Sequence, residues 1–574
     1  MSSRPTNQTV DVCVVGTGAG GGLLIYELVR RGLSVLALEQ GAAITDDYFT
    51  NRSSPDQEGR MGIDDNMPWP LEPLTAFIYN NRRAGRLYAG QGDQSTSGKT
   101  SADFMNRQIL RLNGKQNLWN GVSLRHSRRD FQGKDSGDSD INWPIDYSDV
   151  EPHYSEVEKL IGVCGTREGL DVVPDGEFLP PMPLRPADHL MCRAVRSYTD
   201  RRIQAIPMRK AVETRPGRPN TCPGCGVCFY GCRSGSIYKF SSHLLPRLIG
   251  NPRFNLLCQT KVVRLRRNSL THRIEAVECL DMGSGERFEV KAHMVVLAAG
   301  ALETPRILFN SKDQAFPHGL ANSSGLLGKY LQDNVTVSVT GTLWKMWGQK
   351  SPKFEGFGDH LLIPRFQFNN GEFRGGYQIQ FVQAILRRPT YVAGMGFLPS
   401  WLKEPMAKLL FNSYAALHME GKPESLRVNQ VVPSAELDVY GLPKVDVHYT
   451  FSENDRRMQD HMVRFGKGLM RRCSGIFVES RVFGPGHSIH YAGTCRMAAR
   501  AEEGVVDRDL CSFDHRNLFV CDASVLPELS EKNCSLTVMA LAHRLAGKLS
   551  GQKGHGDYSL NSAMGISARV GDRP

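Results

Sequence analysis

The sequence predicts an α/β protein in which a discontinuous, Rossmann-like nucleotide-binding domain is combined with a second domain built on an antiparallel sheet with helices. Three observations predict this class. A strand–helix–strand unit occupies residues 10–42, and a further buried strand is predicted at residues 294–298. Between residues 336 and 474, several stretches alternate apolar and polar side chains, which is typical of antiparallel strands.

The first unit carries a dinucleotide-binding motif. Gly16, Gly18 and Gly21 form G-x-G-x-x-G between a strand at 12–15 and a helix over 23–31, and Glu39 ends the strand at 34–38. The three glycines would provide the tight turn, the approach of backbone N–H groups to a pyrophosphate, and close helix–strand packing, respectively. The helix N-terminus attracts phosphates, and Glu39 can accept both ribose hydroxyls. This unit alone does not distinguish NAD from FAD.

The strand at 294–298 favours FAD. It is followed by Ala299-Gly300-Ala301 and by a helix that begins near Thr304, and a strand containing Val262 and Val263 precedes it. A nucleotide-binding fold that returns to its sheet after a long excursion is typical of large flavoproteins. The alternative is an unrelated second α/β unit.

Charge and composition narrow the classes of partner. The net charge is +11, but the basic residues are spread along the whole chain, whereas a nucleic-acid-binding protein concentrates them on one face. We therefore expect a solvated basic surface and no nucleic-acid partner, with docking to an acidic partner or to an anionic membrane as the alternative. No apolar run of 18 residues occurs, so no transmembrane segment is predicted. The N-terminus does not resemble a signal peptide, so we expect a cytoplasmic protein, or a periplasmic one if a partner subunit carries the export signal.

Two histidines in "HSIHYAGTCRM" invite three interpretations. His487 and His490 are three residues apart and could bind a metal, fill a core or accept a proton from a substrate. The neighbouring glycines and the lack of further ligands at suitable spacing argue against a metal site.

Four cysteines lie in the short stretch "CPGCGVCFYGC". Cys222, Cys225, Cys228 and Cys232 have the spacing C-x2-C-x2-C-x3-C, which resembles that of ferredoxins and could hold an iron–sulfur cluster. The alternatives are a structural loop of thiols, a zinc site or a disulfide.

Three stretches together resemble the glucose–methanol–choline (GMC) oxidoreductases. They are "GTGAGGG" with Glu39, "HMVVLAAGALETPRILFNS", and the segment from "HYAGTCRM" to "ALAHRLA". The resemblance is strongest to the branch of sugar and gluconate dehydrogenase flavoproteins. It implies bound FAD, a two-domain GMC fold, and oxidation of an alcohol, expected on a sugar, a glycoside or a similar natural product, to the carbonyl. It favours a dehydrogenase over an oxidase.

The resemblance also implies roles for individual residues. His490 would be the base that accepts the hydroxyl proton while flavin N5 accepts the hydride, Asn533 would position the substrate oxygen, and His487 would be structural. Beyond the first motif, the residues expected to contact the flavin are Asn113, Gly114, Asn117, Gly121, Val263, Ala299, Gly300, Asp522 and Ala523.

The domain boundaries and partners follow from the same resemblance. The FAD-binding domain is expected at 1–150, 215–335 and 475–550, the substrate-binding domain at 151–214 and 336–474, and a disordered tail at 551–574. The substrate would be a small alcohol or sugar, and the electron acceptor a quinone, a cytochrome or oxygen. Two alternative functions remain open. One is the flavoprotein subunit of an iron–sulfur and haem-linked dehydrogenase complex, with a small subunit as a further partner and Cys222, Cys228 and Cys232 as ligands of a three-iron cluster. The other is a non-redox lyase that retains FAD.

Overall fold

Two large sheets organise the chain, as the sequence predicts. The computed structural model describes residues 9–43, 95–101, 104–133, 143–224, 228, 232, 234–349, 359–368, 371–383, 396–410 and 413–551. One sheet is parallel and the other is antiparallel, and each has its own apolar core. The α/β class and the two-sheet architecture are therefore confirmed.

The parallel sheet contains the predicted strand–helix–strand unit. Its five strands, in spatial order, are β18 (Leu518–Val520), β10 (Ala292–Leu297), β1 (Val10–Val15), β2 (Val35–Leu38) and β6 (Phe254–Leu257). β1 lies between β10 and β2, so the strand predicted near residue 294 pairs directly with the first strand of the chain. These strands are short and almost entirely apolar, as expected for a parallel sheet that is covered on both faces.

Helices and a small antiparallel sheet pack around the parallel sheet. Helix α1 (Ala19–Arg30) contacts the C-terminal helix α7 (Ser535–Gly551), which also contacts α2 (Tyr147–Ile161). Gly20 permits the approach of α1 to the neighbouring backbone, because a Cβ there would lie 2.1 Å from the carbonyl oxygen of Cys521. The small sheet consists of β7 (Thr260–Arg267), β8 (Ile274–Asp281) and β9 (Arg287–Val290), and β8 contacts β10.

The antiparallel sheet forms the second half of the molecule. Its six strands, in spatial order, are β17 (Gly475–Val482), β11 (Val335–Leu343), β14 (Tyr414–Gly421), β13 (Tyr377–Gln383), β12 (Asp359–Ile363) and β4 (Ile206–Pro207). Helix α6 (Glu453–Arg472) packs on β11, β14 and β17. Ser452 is the N-cap of this helix, since its hydroxyl accepts a hydrogen bond from the backbone N–H of Asp455.

The remaining elements are short or peripheral. They are the ribbons β3 (Val163–Cys164) with β5 (Lys210–Ala211) and β15 (Gln430–Leu437) with β16 (Pro443–His448), and helices α3 (Pro186–Arg196), α4 (Glu303–Asn310) and α5 (Ser400–Leu410). β17 lies at the start of the segment predicted for the FAD domain but pairs with β11 of the antiparallel sheet. The tail is predicted at 551–574; its first residue, Gly551, ends α7, and residues 552–574 lie outside the described residues. In the described part of the chain, no helix has the length and apolar character that a membrane crossing needs.

Candidate active site

A cavity of about 380 Å³ extends from the glycine turn after β1 to the face of the antiparallel sheet. Gly18 and Glu39 line one part of it, and His490 and Asn533 line another. Residues that the sequence predicts at the nucleotide motif and at the reacting end therefore border the same space.

The three motif glycines occupy different surroundings. Gly16 has a φ of +99°, and a Cβ there would lie 2.5 Å from the carbonyl oxygen of Ala298. A Cβ on Gly21 would lie 2.0 Å from the carbonyl oxygen of Gly16, so only glycine allows helix and turn to approach this closely. A Cβ on Gly18 would meet nothing within 4 Å. Gly18 is the N-cap of α1, so this open space borders the N-terminus of a helix, where backbone N–H groups attract anions.

Glu39 is buried at the end of β2 and is already hydrogen-bonded. One carboxylate oxygen accepts from the Thr17 hydroxyl at 2.5 Å and the Thr17 N–H at 3.2 Å, and the other accepts from the Gly41 N–H at 2.8 Å. Burial raises the pKa of Glu39, and these hydrogen bonds oppose that effect. Because a carboxylate offers about four acceptor positions, about one remains for a ribose hydroxyl, whereas the sequence predicts acceptance from two.

The loop after residue 112 is braced by its asparagines. The Asn113 amide donates to Ser241 at 2.8 Å and to Asn117 at 3.1 Å, and the Asn117 amide donates to the carbonyls of Leu112 and Gly114. Asn113 has a φ of +75° and Gly114 one of +54°, so the backbone bends sharply at the cavity wall. Gly121, further along, also has a positive φ, and its carbonyl accepts from the Ala211 N–H.

Gln116, in the same loop, was not predicted. Its side chain is 3% exposed and borders the cavity, yet neither its amide nitrogen nor its oxygen has a hydrogen-bond partner in the described part of the chain. A buried amide without partners is costly, so this geometry fits a polar ligand that satisfies it. The open space at Gly18 and this unsatisfied amide together fit a bound dinucleotide.

The residues that follow β10 and β18 also reach the cavity. Ala299, Gly300 and Ala523 line the cavity. Asp522 accepts hydrogen bonds from the Gly300 N–H at 2.9 Å and the Thr304 hydroxyl at 2.6 Å, which ties the ends of these two strands together.

Val263 lies apart from this group. Its side chain packs in a small apolar cluster with Leu280 and Leu442, while the adjacent Val262 lines the cavity. Successive side chains of a strand point to opposite faces, which explains why neighbours in β7 have different environments.

His490 has a defined tautomer. The Asn334 amide nitrogen donates to the carbonyls of Gly421 at 3.0 Å and Ser530 at 2.8 Å, so its oxygen faces His490 Nδ1 at 2.8 Å. That oxygen can only accept, and the Ser488 hydroxyl, which lies 2.6 Å from Nδ1, donates to the same oxygen and can accept from Nδ1. These two partners together favour the tautomer in which Nδ1 carries the proton. Nε2 is left with its lone pair and lies 3.2 Å from the Asn533 amide nitrogen. Burial lowers the pKa of His490, which keeps this nitrogen unprotonated at neutral pH.

Asn533 is oriented by two further amides. Its oxygen accepts from the side-chain nitrogens of Gln378 at 3.3 Å and Gln380 at 3.2 Å, so its own nitrogen points toward His490. The structure thus brings the two predicted catalytic residues together, although 42 residues separate them in the sequence. A substrate hydroxyl placed between them would face one acceptor, Nε2, and one donor, the Asn533 amide.

Polar side chains on the antiparallel sheet form the wall next to His490 and Asn533. Ser338 on β11, His418 and Glu420 on β14, and Gln380 on β13 all line the cavity. Gln380 and Ser338 are the cross-strand neighbours of His418 on either side. Sequence reasoning named none of these residues. The only available signal was the alternation of polar residues in "YQIQF" and "ALHME", which normally indicates a solvent-facing side of a sheet.

Lys115 was also missed. Its ammonium donates to the carbonyl of Ile489 at 2.7 Å and lies 3.8 Å from the ring centre of Tyr491. Burial lowers the pKa of Lys115, and the negative charge of Asp333 opposes this shift. Asp333 accepts the backbone N–H groups of Ser488 and His490, and thereby fixes the loop that carries the base.

His487 lines the same cavity, whereas the described cysteines among the predicted cluster ligands do not. His487 is buried and stacks on Phe483 with ring centres 3.7 Å apart. Cys222, Cys228 and Cys232 pack in a small apolar cluster, and Cys225 lies outside the described residues. Within the ranges that the structure covers, no group of three or more His, Cys, Asp or Glu side chains is arranged to hold a metal ion.

Comparison with known proteins identifies relatives along most of the chain. Family models described as GMC oxidoreductase match residues 208–336 and 427–542. Paromamine 6'-oxidase from Streptomyces fradiae is 27% identical, over 96% of this chain and 93% of the relative. The fructose dehydrogenase large subunit from Gluconobacter japonicus is 26% identical, over 94% of this chain and 98% of the relative. The crystal structure of pyridoxine 4-oxidase from Mesorbium loti shares the fold, with a TM-score of 0.59 and 17% identity over 94% of this chain and 99% of that one.

Proposed function

Since the chain belongs to the GMC oxidoreductase family, we propose that it binds FAD and oxidises an alcohol group of a sugar or a sugar-like molecule to the carbonyl. The observation that carries this proposal is the pairing of an unprotonated His490 Nε2 with the Asn533 amide in the cavity that begins at the glycine turn. The names of two relatives, paromamine 6'-oxidase and fructose dehydrogenase, support a sugar-like substrate.

Four residues of the cavity would have distinct roles in cofactor binding and in the reaction. Gly18, at the N-terminus of α1, would receive the pyrophosphate, and Gln116 would hydrogen-bond the bound cofactor. His490 Nε2 would take the hydroxyl proton of the substrate, and the Asn533 amide would donate to the substrate oxygen as negative charge develops on it. When bound, FAD supplies the acceptor for the hydride that leaves the carbinol carbon, which no side chain can provide.

Loss of the proton and loss of the hydride must be coupled. Hydride departure from an alcohol that keeps its proton would leave a protonated carbonyl, which is high in energy. A base of moderate pKa beside the hydroxyl avoids this, and imidazole is the side chain with that property at neutral pH. The tautomer of His490 therefore has a chemical purpose, because it leaves the lone pair on Nε2, the nitrogen that lies beside the Asn533 amide.

Anaerobic flavin reduction tests this proposal. Purified protein with its flavin is mixed, in the absence of oxygen, with a panel of sugars, glycosides and simple alcohols, and the visible absorbance of the oxidised flavin is followed. We expect at least one sugar-like alcohol to bleach the flavin. If every alcohol leaves the flavin oxidised, the proposal is wrong and a non-redox role for the cofactor is favoured. Reoxidation by oxygen, compared with reoxidation by a dye, then separates an oxidase from a dehydrogenase.

A further inference from the structure

We infer that Glu420 binds a protonated amino group of the substrate, so that the enzyme selects amino sugars or related amino alcohols over neutral sugars. This inference rests on the proposed function, because it names the substrate class of the same site. Three features carry it: the position of the Glu420 carboxylate, the charges around that carboxylate, and an unsatisfied hydroxyl beside it.

Glu420 lies on β14 at the wall of the cavity, and its side chain is 4% exposed. One carboxylate oxygen accepts the side-chain amides of Gln378 at 3.0 Å and Gln380 at 3.1 Å. The same two amides also donate to the oxygen of Asn533. The glutamines therefore connect the Glu420 carboxylate to Asn533, the residue that would contact the reacting oxygen of the substrate. Burial opposes ionisation of Glu420, but its pKa is lowered, because His490 and His418 favour the carboxylate when they are protonated and the hydrogen bonds from His418 and Gln378 favour it as well. When His490 is neutral, the donors that point at the carboxylate keep favouring its charged form.

Among the described residues, the charged or titratable groups that the second carboxylate oxygen faces are two imidazoles. It lies 3.5 Å from His418 Nε2 and 3.8 Å from His490 Nδ1. Within the described ranges, no lysine or arginine forms an ion pair with Glu420. The nearby Lys115 ammonium is instead held by the Ile489 carbonyl, close to Asp333.

This arrangement leaves a buried negative charge without a permanent cation. Its two imidazole neighbours include His490, which must be neutral to act as a base. A buried charge costs several kcal/mol unless an opposite charge or strong hydrogen bonds compensate for it. A substrate ammonium that enters from the cavity would supply the missing cation and would form charge-assisted hydrogen bonds with the carboxylate.

Ser338 indicates that the substrate carries further polar groups in addition to its ammonium group. Its hydroxyl is buried, lines the cavity and has no hydrogen-bond partner in the described part of the chain. Ser338, His418 and Gln380 form a row across three neighbouring strands, next to Glu420. A molecule with several hydroxyl groups would satisfy this row while its amino group contacts the carboxylate. An amino sugar or an aminocyclitol combines these two kinds of group.

The competing interpretation is a neutral sugar whose hydroxyl donates to Glu420. Such a hydroxyl would complete the hydrogen bonding of the carboxylate but would not balance its charge. The two interpretations differ in one measurable quantity, which is the preference of the site for a charged amine over a neutral group of similar size.

The test measures the rates of matched substrates, once with the wild-type holoenzyme and once with the Glu420→Gln variant. Anaerobic flavin reduction is measured near neutral pH with amino sugars and amino alcohols, each paired with its hydroxyl and its N-acetyl counterpart, for example glucosamine, glucose and N-acetylglucosamine. We expect the wild type to favour the amine roughly 10- to 100-fold in kcat/KM, the factor that a hydrogen bond to a charged group provides. Glu420→Gln should abolish this preference, mainly by raising KM for the amine. Glu502→Gln removes an exposed carboxylate and should preserve the preference.

The possible outcomes separate this inference from the proposed function. If no alcohol of either kind bleaches the flavin, the proposed function itself fails. If neutral sugars react as well as their amino counterparts, or if Glu420→Gln slows both equally, the enzyme oxidises alcohols but Glu420 does not select an amine. If Glu420→Gln does not fold, the wild-type comparison of amine with N-acetyl substrates decides alone, because acetylation removes the charge at the same position.

Discussion

Replacement of His490 by alanine tests the assignment of the base most directly. A positioned base contributes about 10²- to 10⁴-fold in rate, so the limiting rate of flavin reduction should fall by that factor. The corresponding rise in the activation barrier is about 2.7 to 5.4 kcal/mol. The fold should survive, since the backbone N–H of residue 490 still reaches Asp333 and the Asn334 oxygen keeps the hydroxyl of Ser488. The imidazole makes three hydrogen bonds, to Asn334, Ser488 and Asn533, and the loss of each costs about 1 kcal/mol of stability.

The pH dependence provides a second measure from the same variant. The neutral imidazole is the active form, and burial lowers the pKa of His490 below its ordinary value of about 6.5. The rate in the wild type should therefore stay constant down to that pH and should decrease only at more acidic pH, as Nε2 becomes protonated. The alanine variant has no group at this position to protonate, and its residual rate should not show the same decrease.

Stopped-flow flavin reduction under anaerobic conditions is the appropriate assay, with the flavin content of each preparation measured by absorbance. His318→Ala replaces an exposed histidine and serves as the matched control. A His490→Ala protein that binds flavin normally and reduces it at the wild-type rate would refute this reasoning. If the rate of the variant still decreased at acidic pH as the wild-type rate does, the titrating group would be a residue other than His490.

Two further predictions concern the cofactor turn and a buried ion pair. Gly18→Ala should leave the thermal stability of the flavin-free protein unchanged and lower its affinity for FAD, whereas Gly21→Ala should lower the stability itself, because the Cβ introduced at position 21 would overlap the backbone. Melting temperatures and flavin titrations distinguish the two variants. An equal loss of stability in both would contradict the different roles assigned to the two glycines. Lys532→Met should reduce the free energy of unfolding by about 3–5 kcal/mol, because it leaves the buried carboxylate of Asp130 without its cation. Lys548→Met breaks a half-exposed ion pair with Asp509 and should reduce the free energy of unfolding by at most about 1 kcal/mol. Both free energies are measured by chemical denaturation. Similar losses in the two variants would show that burial does not determine the cost of breaking an ion pair.

The nucleotide-binding half could be predicted because its signals are local. Gly16, Gly18, Gly21 and Glu39 lie within 24 residues, and each one reflects a requirement of the backbone or of a helix end. The strand near residue 294 was equally visible as a short apolar run between a polar stretch and a small-residue turn. Its return to the sheet of β1 is expected from the general organisation of large flavoproteins, because no local property of either strand selects the other as its neighbour.

The wall of the substrate cavity could not be predicted for a different reason. Gln380 and His418 alternate with apolar residues along their strands, and the same pattern occurs when one face of a sheet meets water. Whether such a face is exposed or covered depends on the other domain, which lies far away in the sequence. Lys115 was hidden in another way, since a lysine in a loop is usually solvated and nothing nearby in the sequence reveals Asp333 or Tyr491 as neighbours.

The carboxylate of Glu420 links substrate recognition to the base, and this gives a final prediction. Its negative charge raises the pKa of His490, partly offsetting the effect of burial. An ammonium bound to Glu420 neutralises that charge, so the pKa of His490 in the substrate complex should be lower with an amino substrate than with a neutral one. The acidic decrease in kcat, which reports groups in the enzyme–substrate complex, should therefore occur at lower pH for the amine than for its hydroxyl counterpart. Profiles that coincide for the two substrates would mean that no positive charge lies beside Glu420 when His490 accepts the proton.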